Sequence, residues 1–254
     1  MKILSYNVNG IRAAIRNGLV EWLADNPFDI LCFQEVKAQP EQVDLSGFTE
    51  LGYEVIGWHA AEKKGYSGVA ILSKKVPDRV VDGCGLSIYD CEGRILRADF
   101  GEITLLNCYF PSGTSGETRQ GVKMQFLQDF QEYVNNLRKE RPNLIVCGDY
   151  NIAHTENDIH DPVRNKNTTG FLPEERAWLT GWFENGFTDA FRHLNPELTE
   201  YSWWSYRAGA RANNKGWRID YHSVSDSLRD RLVHCRHAVN AVHSDHCGVE
   251  LILK

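Results

Sequence analysis

Short runs of apolar, β-branched or aromatic residues recur along the whole chain, and each is bounded by Gly, Pro, Asp or another turn former. They are Lys2–Asn7, Ile30–Glu35, Tyr53–Trp58, Val69–Ser73, Leu96–Phe100, Ile103–Tyr109, Leu144–Gly148, Tyr201–Trp204, Ile219–Ser223 and Val249–Leu253. Runs this short and this apolar read as buried strands. Three helical patterns lie among them. Ile11 to Asp25 carries apolar residues at helical spacing and ends before Pro27. Val122 to Lys139 places Phe126, Phe130, Val134 and Leu137 three and four apart, with Pro142 beyond. Pro173 to Asn185 opens on Pro-Glu-Glu, suited to a first turn, and stops at Gly186. Strands outnumber helices, which predicts an α/β four-layer sandwich of two packed mixed β-sheets with helices outside. The alternative is one doubly wound sheet. Neither GxGxxG nor GxxxxGK[ST] occurs, so nucleotide-cofactor readings lose their main support.

No repeat, low-complexity tract or Pro/Ser-rich linker interrupts the 254 residues, and a single domain over 1–254 is expected. No stretch approaches the length of a membrane span, and the first residues lack a signal-peptide pattern, so a cytoplasmic protein is expected. The seven cysteines agree: the number is odd, no CxxC pair occurs, and Cys32, Cys108 and Cys147 sit inside apolar runs as free thiols. Asn167-Thr168-Thr169 matches a glycosylation pattern, which means nothing without secretion. The net charge of −6 argues at first against a nucleic-acid partner. The distribution is more informative. Tyr201 to Ile219 has no acid but holds Arg207, Arg211, Lys215 and Arg218, and Pro162 to Pro173 has none beside Arg164 and Lys166. Such loops are either ordinary solvated surface or phosphate-binding segments on an acidic body.

The chemistry gathers where apolar runs end. Asn7 and Asn9 follow the first. Glu35 and Lys37 follow Ile30-Leu31-Cys32-Phe33-Gln34. Tyr109 closes another, before Phe110-Pro111-Ser112. Asp149 and Asn151 follow Ile145-Val146-Cys147-Gly148, Asp220 lies in Trp217-Arg218-Ile219-Asp220-Tyr221, and Asp245-His246 precedes the last run. Taken singly, each has an ordinary explanation: Glu35 or Asp149 as a turn former or helix cap, Tyr109 as core, His246 as structural, Asp220 as partner to a buried arginine. Taken together, carboxylates and amides without thiolate or clustered imidazole are ligands for a hard cation such as Mg²⁺ or Mn²⁺. An Asp beside a His supplies a positioned acid–base group. Zinc spacing is absent: His243 and His246 are three apart, His154 and His160 six. Cys247 adjoins His246, and neighbours in an extended segment face opposite ways, which disfavours a Cys–His nucleophile.

SYNVNGIRA (5–13), LCFQEVKA (31–38), GYSGVAILSK (65–74), EGRILRADF (92–100), NCYFPSG (107–113), CGDYNIAH (147–154), NTTGFLPEER (167–176), GWRIDY (216–221) and SDHCGVEL (244–251) follow one another in order. Together they resemble the exonuclease III family of abasic-site endonucleases, in the DNase I-like endonuclease/exonuclease/phosphatase superfamily. The superfamily alone implies phosphoester hydrolysis, and some members act on lipids or inositol phosphates. NTTGF, Tyr201-Ser202-Trp203-Trp204 and GWRIDY mark the abasic-site branch. The resemblance implies a Mg²⁺- or Mn²⁺-dependent DNA repair nuclease. It would cut 5′ to an abasic site in double-stranded DNA and leave a 3′-hydroxyl, with 3′–5′ exonuclease and 3′-phosphatase work on blocked 3′ ends, as a monomer.

Residue by residue it implies Glu35 as metal ligand with Asn7 near the ion, and Asp245, Asp149, Asn151 and His246 around the metal site. Asp149 would orient or deprotonate the attacking water, and Asn151 would stabilise the transition state. Tyr109 and His246 would contact phosphate, the latter held by Asp220. Asn9, Lys37 and Ser112 would lie on the phosphate side, and Trp203, Trp217 and Ile219 around an abasic-sugar pocket. Three positions depart from the pattern. Asn9 stands where some members carry Asp, Ser112 where an amide is common, and Arg207 where the residue wedging into damaged DNA varies. A lipid or inositol phosphatase, or a DNA-binding module without activity, remain the alternatives.

Overall fold

Every second residue of a strand faces the same side, so the apolar pattern decides how strands stack. The computed structural model describes all 254 residues. Its strands are β1 (Lys2–Asn7), β2 (Ile30–Gln34), β3 (Glu54–His59), β4 (Val69–Ser73), β5 (Arg79–Asp82), β6 (Ile95–Phe100), β7 (Ile103–Tyr109), β8 (Asn143–Asp149), β9 (Phe187–Asp189), β10 (Asp220–Ser225), β11 (Leu232–Ala238) and β12 (Gly248–Leu253). They form two six-stranded sheets, β11-β12-β1-β2-β4-β3 and β5-β6-β7-β8-β10-β9. The β1–β2 and β7–β8 pairs are parallel and the others antiparallel, so both sheets are mixed.

Alternation separates the layers. Ile3, Ile30, Cys32, Leu105, Ile145 and Cys147 belong to one cluster between the sheets. Their neighbours Leu4, Tyr6, Leu31 and Phe33 face outward against Ile11, Ala14, Leu19 and Leu23. On the other side Leu106, Cys108, Leu144 and Val146 face Phe126, Phe130, Leu179 and Trp182 of the helices Glu117–Glu140 and Pro173–Glu184. The order is helix, sheet, sheet, helix, the expected four layers. All seven cysteines are free thiols, as expected. No helix is long and apolar enough to cross a membrane.

Some expectations need correction. The segment 11–25 is two helices, Ile11–Arg16 and Leu19–Asp25, because Gly18 takes φ 93° between them. Tyr201–Trp204 forms no strand; Trp203 makes only isolated bridges with Trp217 and His246. Strands β5, β9 and β11 went unanticipated. Their sequences RVVD, FTD and LVHCRHA are short or mixed in polarity. They lie at sheet edges, where one side needs no apolar cover.

The same parity positions the site. Inner-face residues continue up β1, β2, β7, β8 and β10 to Asn7, Gln34, Tyr109, Asp149 and Asp220. Register brings them level, with Asn7 opposite Gln34, Tyr109 opposite Asp149, and Asp149 opposite Asp220. Gly148 makes this approach possible. It has φ 135°, and a Cβ there would lie 1.8 Å from the Cys108 carbonyl oxygen.

Candidate active site

At the shared end of the two sheets opens a cleft of ≈ 360 Å³. Glu35, Tyr109, Ser112, Asp149, Asn151, Asp245 and His246 line it, with Trp203, Trp217 and Ile219 along one wall. Asn7 lies below, fully buried, and its Nδ2 donates to Glu35 Oε1 and to Asp149 Oδ2, both at 2.8 Å. One amide thus ties a carboxylate from each sheet. Glu35 and Asn151 adopt φ 51° and 53°, left-handed values that a non-glycine residue takes only where its surroundings enforce them. Ligand atoms of Glu35, Asp149 and His246 fall within 4.8 Å of one another.

His246 is buried between two carboxylates. Its Nδ1 donates to Asp220 Oδ2 at 2.8 Å, and its Nε2 lies 3.8 Å from Asp149 Oδ2. Burial opposes a charged imidazole, but Asp220 beside it, then Asp149 and Asp245, raise its pKa to about 10. Burial, then Asp220 and Glu35, push the Asp149 carboxyl up to about 8. Its Oδ1 accepts the backbone N–H of Asn151 at 2.8 Å. Asp220 therefore partners a histidine rather than an arginine.

The phosphate-side candidates fall in two groups. Lys37 pairs with Glu35 Oε2 at 2.7 Å and donates to Asn9 Oδ1. Asn9 Nδ2 in turn donates to Asp245 Oδ1 at 2.9 Å, and Trp203 Nε1 to Asp245 Oδ2 at 3.0 Å. Asp245 is thus held by an amide and an indole, apart from the Glu35–Asp149–His246 cluster. Ser112 Oγ lies 3.0 Å from the Thr114 hydroxyl at the cleft edge. Arg207 is exposed on a short turn, Arg207–Gly209, and does not line the cleft. Two other basic-loop residues are occupied elsewhere. Arg218 is buried and bonded to Asp158 and Asp189. Arg211 holds the carbonyls of Ser244 and Ala241.

On the apolar wall, Trp203 meets Trp217 edge-on with ring centres 6.1 Å apart, and both pack against the cluster of Ala153, Ile159, Phe171 and Ile219. Trp204 is buried away from the cleft with Tyr201, Ala210 and Cys247, as alternation of neighbours suggests. Several residues were not anticipated. Thr168, Thr169 and Gly170 line the cleft. Ser202 donates to Asp220 Oδ2 at 2.6 Å. Arg94 is buried, bonds the Tyr109 carbonyl and lies 5.0 Å from the Tyr109 ring centre. Each lies in a stretch quoted above, NTTGF, Tyr201-Ser202-Trp203-Trp204 or EGRILRADF, and that was the available signal.

The donor set fits a hard divalent cation. Glu35 and Asp149 present carboxylate oxygens side by side, both held by Asn7 Nδ2, with no lysine or arginine between them.

Residues 4–246 match the sequence profile of the Endonuclease/Exonuclease/phosphatase family. An exodeoxyribonuclease of Bacillus subtilis (strain 168) is 43% identical over 255 residues, covering 100% of this chain and 99% of that protein. The DNA repair nuclease APEX1 of Danio rerio is 38% identical over 257 residues, covering 100% and 82%. Among solved structures, an AP endonuclease from Archaeoglobus fulgidus superposes with TM-score 0.90 at 31% identity, covering 100% of this chain and 99% of that one. The 3′ phosphatase NExo from Neisseria, bound to a product DNA hairpin, superposes with TM-score 0.92 at 28% identity, again covering 100% and 99%.

Proposed function

Because the chain belongs to the endonuclease/exonuclease/phosphatase family, we propose that it is a metal-dependent DNA repair nuclease, hydrolysing the phosphodiester 5′ to an abasic site in double-stranded DNA. The same site would trim or dephosphorylate 3′ ends. One observation carries the reading: the acidic cluster Glu35–Asp149–His246 shares its cleft with an apolar wall of Trp203, Trp217 and Ile219. A phosphate and a bare deoxyribose, joined in the substrate, need that combination.

Glu35 and Asp149, with Asn7 bridging them, would hold Mg²⁺ or Mn²⁺. When bound, such an ion neutralises negative charge developing on the phosphate. Asp149 aligns the attacking water and takes its proton. Its Oδ1 is fixed by the Asn151 backbone N–H at 2.8 Å and its Oδ2 by Asn7, which holds the carboxylate in place for that role. The water oxygen attacks phosphorus in line, and the bond to the 3′ oxygen of the preceding nucleotide breaks. That oxygen takes a proton from solvent as it leaves and becomes the 3′-hydroxyl, Asp149 returns its proton to solvent, and the abasic sugar keeps the 5′ phosphate. His246, held as the cation by Asp220, donates to a non-bridging oxygen. Asn151 Nδ2, now on the Phe110 carbonyl at 3.0 Å, stands beside the same group. Tyr109 adds a hydroxyl that burial keeps protonated well above its usual range. Lys37, Asn9 and Ser112 flank the phosphate.

The test is a labelled duplex with a single abasic analogue, with and without Mg²⁺, beside a phosphoinositide. Metal-dependent incision 5′ to the lesion supports the reading. Phosphoinositide hydrolysis without incision would move the protein to the lipid branch of its family.

A further inference from the structure

Two charged side chains that this chemistry does not use lie wholly inside the protein. Lys123 and Glu175 are both 0% exposed, with Nζ and Oε1 2.6 Å apart. Charges this deep persist only when their remaining donors and acceptors are also satisfied. Here the partners are groups that shape the cleft. Lys123 Nζ donates to the carbonyl of Asn151 at 2.9 Å. Glu175 Oε2 accepts the backbone N–H groups of Gly170 at 2.6 Å and Leu172 at 3.0 Å. Gln120 bridges further, giving Nε2 to Glu175 Oε1 at 3.0 Å and taking the Thr169 hydroxyl at 2.7 Å.

The two backbones held in this way are in left-handed conformations, with φ 53° at Asn151 and 90° at Gly170. Both residues line the cleft, and they lie close together: a Cβ on Gly170 would lie 3.0 Å from the Trp217 ring and 3.1 Å from the Asn151 carbonyl. An apolar pair of the same volume would fill the space between helices Glu117–Glu140 and Pro173–Glu184. It would not hold a carbonyl on one side and an N–H on the other.

We infer that Lys123 and Glu175 are positioning residues: one buried ion pair sets Asn151, beside the phosphate, and the 168–170 loop, beside the sugar pocket, in a single frame. This rests on the role given to Asn151 above. A displacement of about 1 Å at a reacting group can cost roughly 100-fold in rate, so the pair acts on turnover more than on substrate affinity.

The experiment compares wild type, Lys123→Met/Glu175→Leu and Lys123→Arg on the abasic duplex, each with a thermal melt. Replacing a buried ion pair by apolar residues often leaves stability unchanged or raised. The double variant is expected to melt near wild type and lose roughly 10- to 100-fold in kcat with KM little changed. Lys123→Arg, which keeps the charge and its donors, should recover part of the loss. Adding Asn151→Ala to the double variant should not multiply the defect, since both act on one group. If the double variant does not fold, Glu175→Gln is read instead, and a fall in its kcat at unchanged KM carries the same support. Wild-type kcat in a folded variant, or a defect that multiplies with Asn151→Ala, overturns the inference. Wild type that leaves abasic duplex uncut overturns the functional reading itself, a separate outcome.

Discussion

His246 Nδ1 and the Ser202 hydroxyl converge on one oxygen of Asp220, at 2.8 and 2.6 Å, while its other oxygen is buried without a partner. Two donors on one atom lock the carboxylate, and the carboxylate locks the imidazole with Nε2 toward Asp149. Asp220→Asn and His246→Asn should each lower kcat by roughly 10²–10⁴-fold. The double variant should be no worse than the poorer single, because both remove the same contact. Defects that multiply in the four-way comparison would show that the two act separately.

Metal use is expected to run through Glu35. Excess EDTA should abolish incision, and Mg²⁺ or Mn²⁺ should restore it. Glu35→Ala should shift the metal requirement upward, with partial rescue by high Mn²⁺, since Asp149 and Asn7 remain. A titration of incision rate against metal concentration reads both. Full activity in excess chelator is the result that counts against an ion in the site.

Neighbouring tryptophans should separate recognition from stability. Trp203 lines the cleft, whereas Trp204 is 4% exposed and carries the Arg211 guanidinium 4.6 Å from its ring centre. Trp203→Ala should narrow the rate difference between abasic and intact duplex with little change in melting temperature. Trp204→Ala should cost roughly 3–5 kcal/mol and keep the preference. Incision on both duplexes and a thermal melt of each variant decide it; exchanged phenotypes would reverse the assignment.

His222 predicts an acid limb of stability away from the chemistry. It is buried between the sheets, with Nε2 on the Val249 carbonyl at 3.0 Å and Nδ1 without a partner. Burial lowers its pKa from 6.5 to about 4. Above pH 6.5 the ring is neutral folded or unfolded. As pH falls from 6.5 toward 4, the unfolded chain gains a proton that the folded chain refuses, so stability drops by up to roughly 3 kcal/mol. His222→Gln should flatten that part of a urea-melt pH series. An unchanged slope would mean the ring is protonated inside the fold.

Much of the site was legible because strand parity is a local property. A polar residue two places past an inward apolar one lies on the same face, as Asp149 follows Cys147 and Gln34 follows Cys32. Trp203 and Trp204 face apart for a similar reason, even though Tyr201–Trp204 is not a strand, since extended neighbours still alternate. What escaped depends on partners distant in sequence. Lys123 stands three residues before Phe126 on the buried face of its helix, but a lysine reads as surface until Glu175, on another helix, is seen to pair with it. Arg218 reads as a phosphate-binding arginine until Asp158 and Asp189 are seen to enclose it. The break at Gly18 was hidden because the apolar spacing continues across it.

The pairing of β1 with both β2 and β12 has a consequence for biosynthesis. Glu35 is made early, Asp149 midway and His246 near the end, and the strand that brings His246 back to β1 follows it. The Glu35–Asp149–His246 cluster is therefore expected to be complete only once β12 has paired with β1.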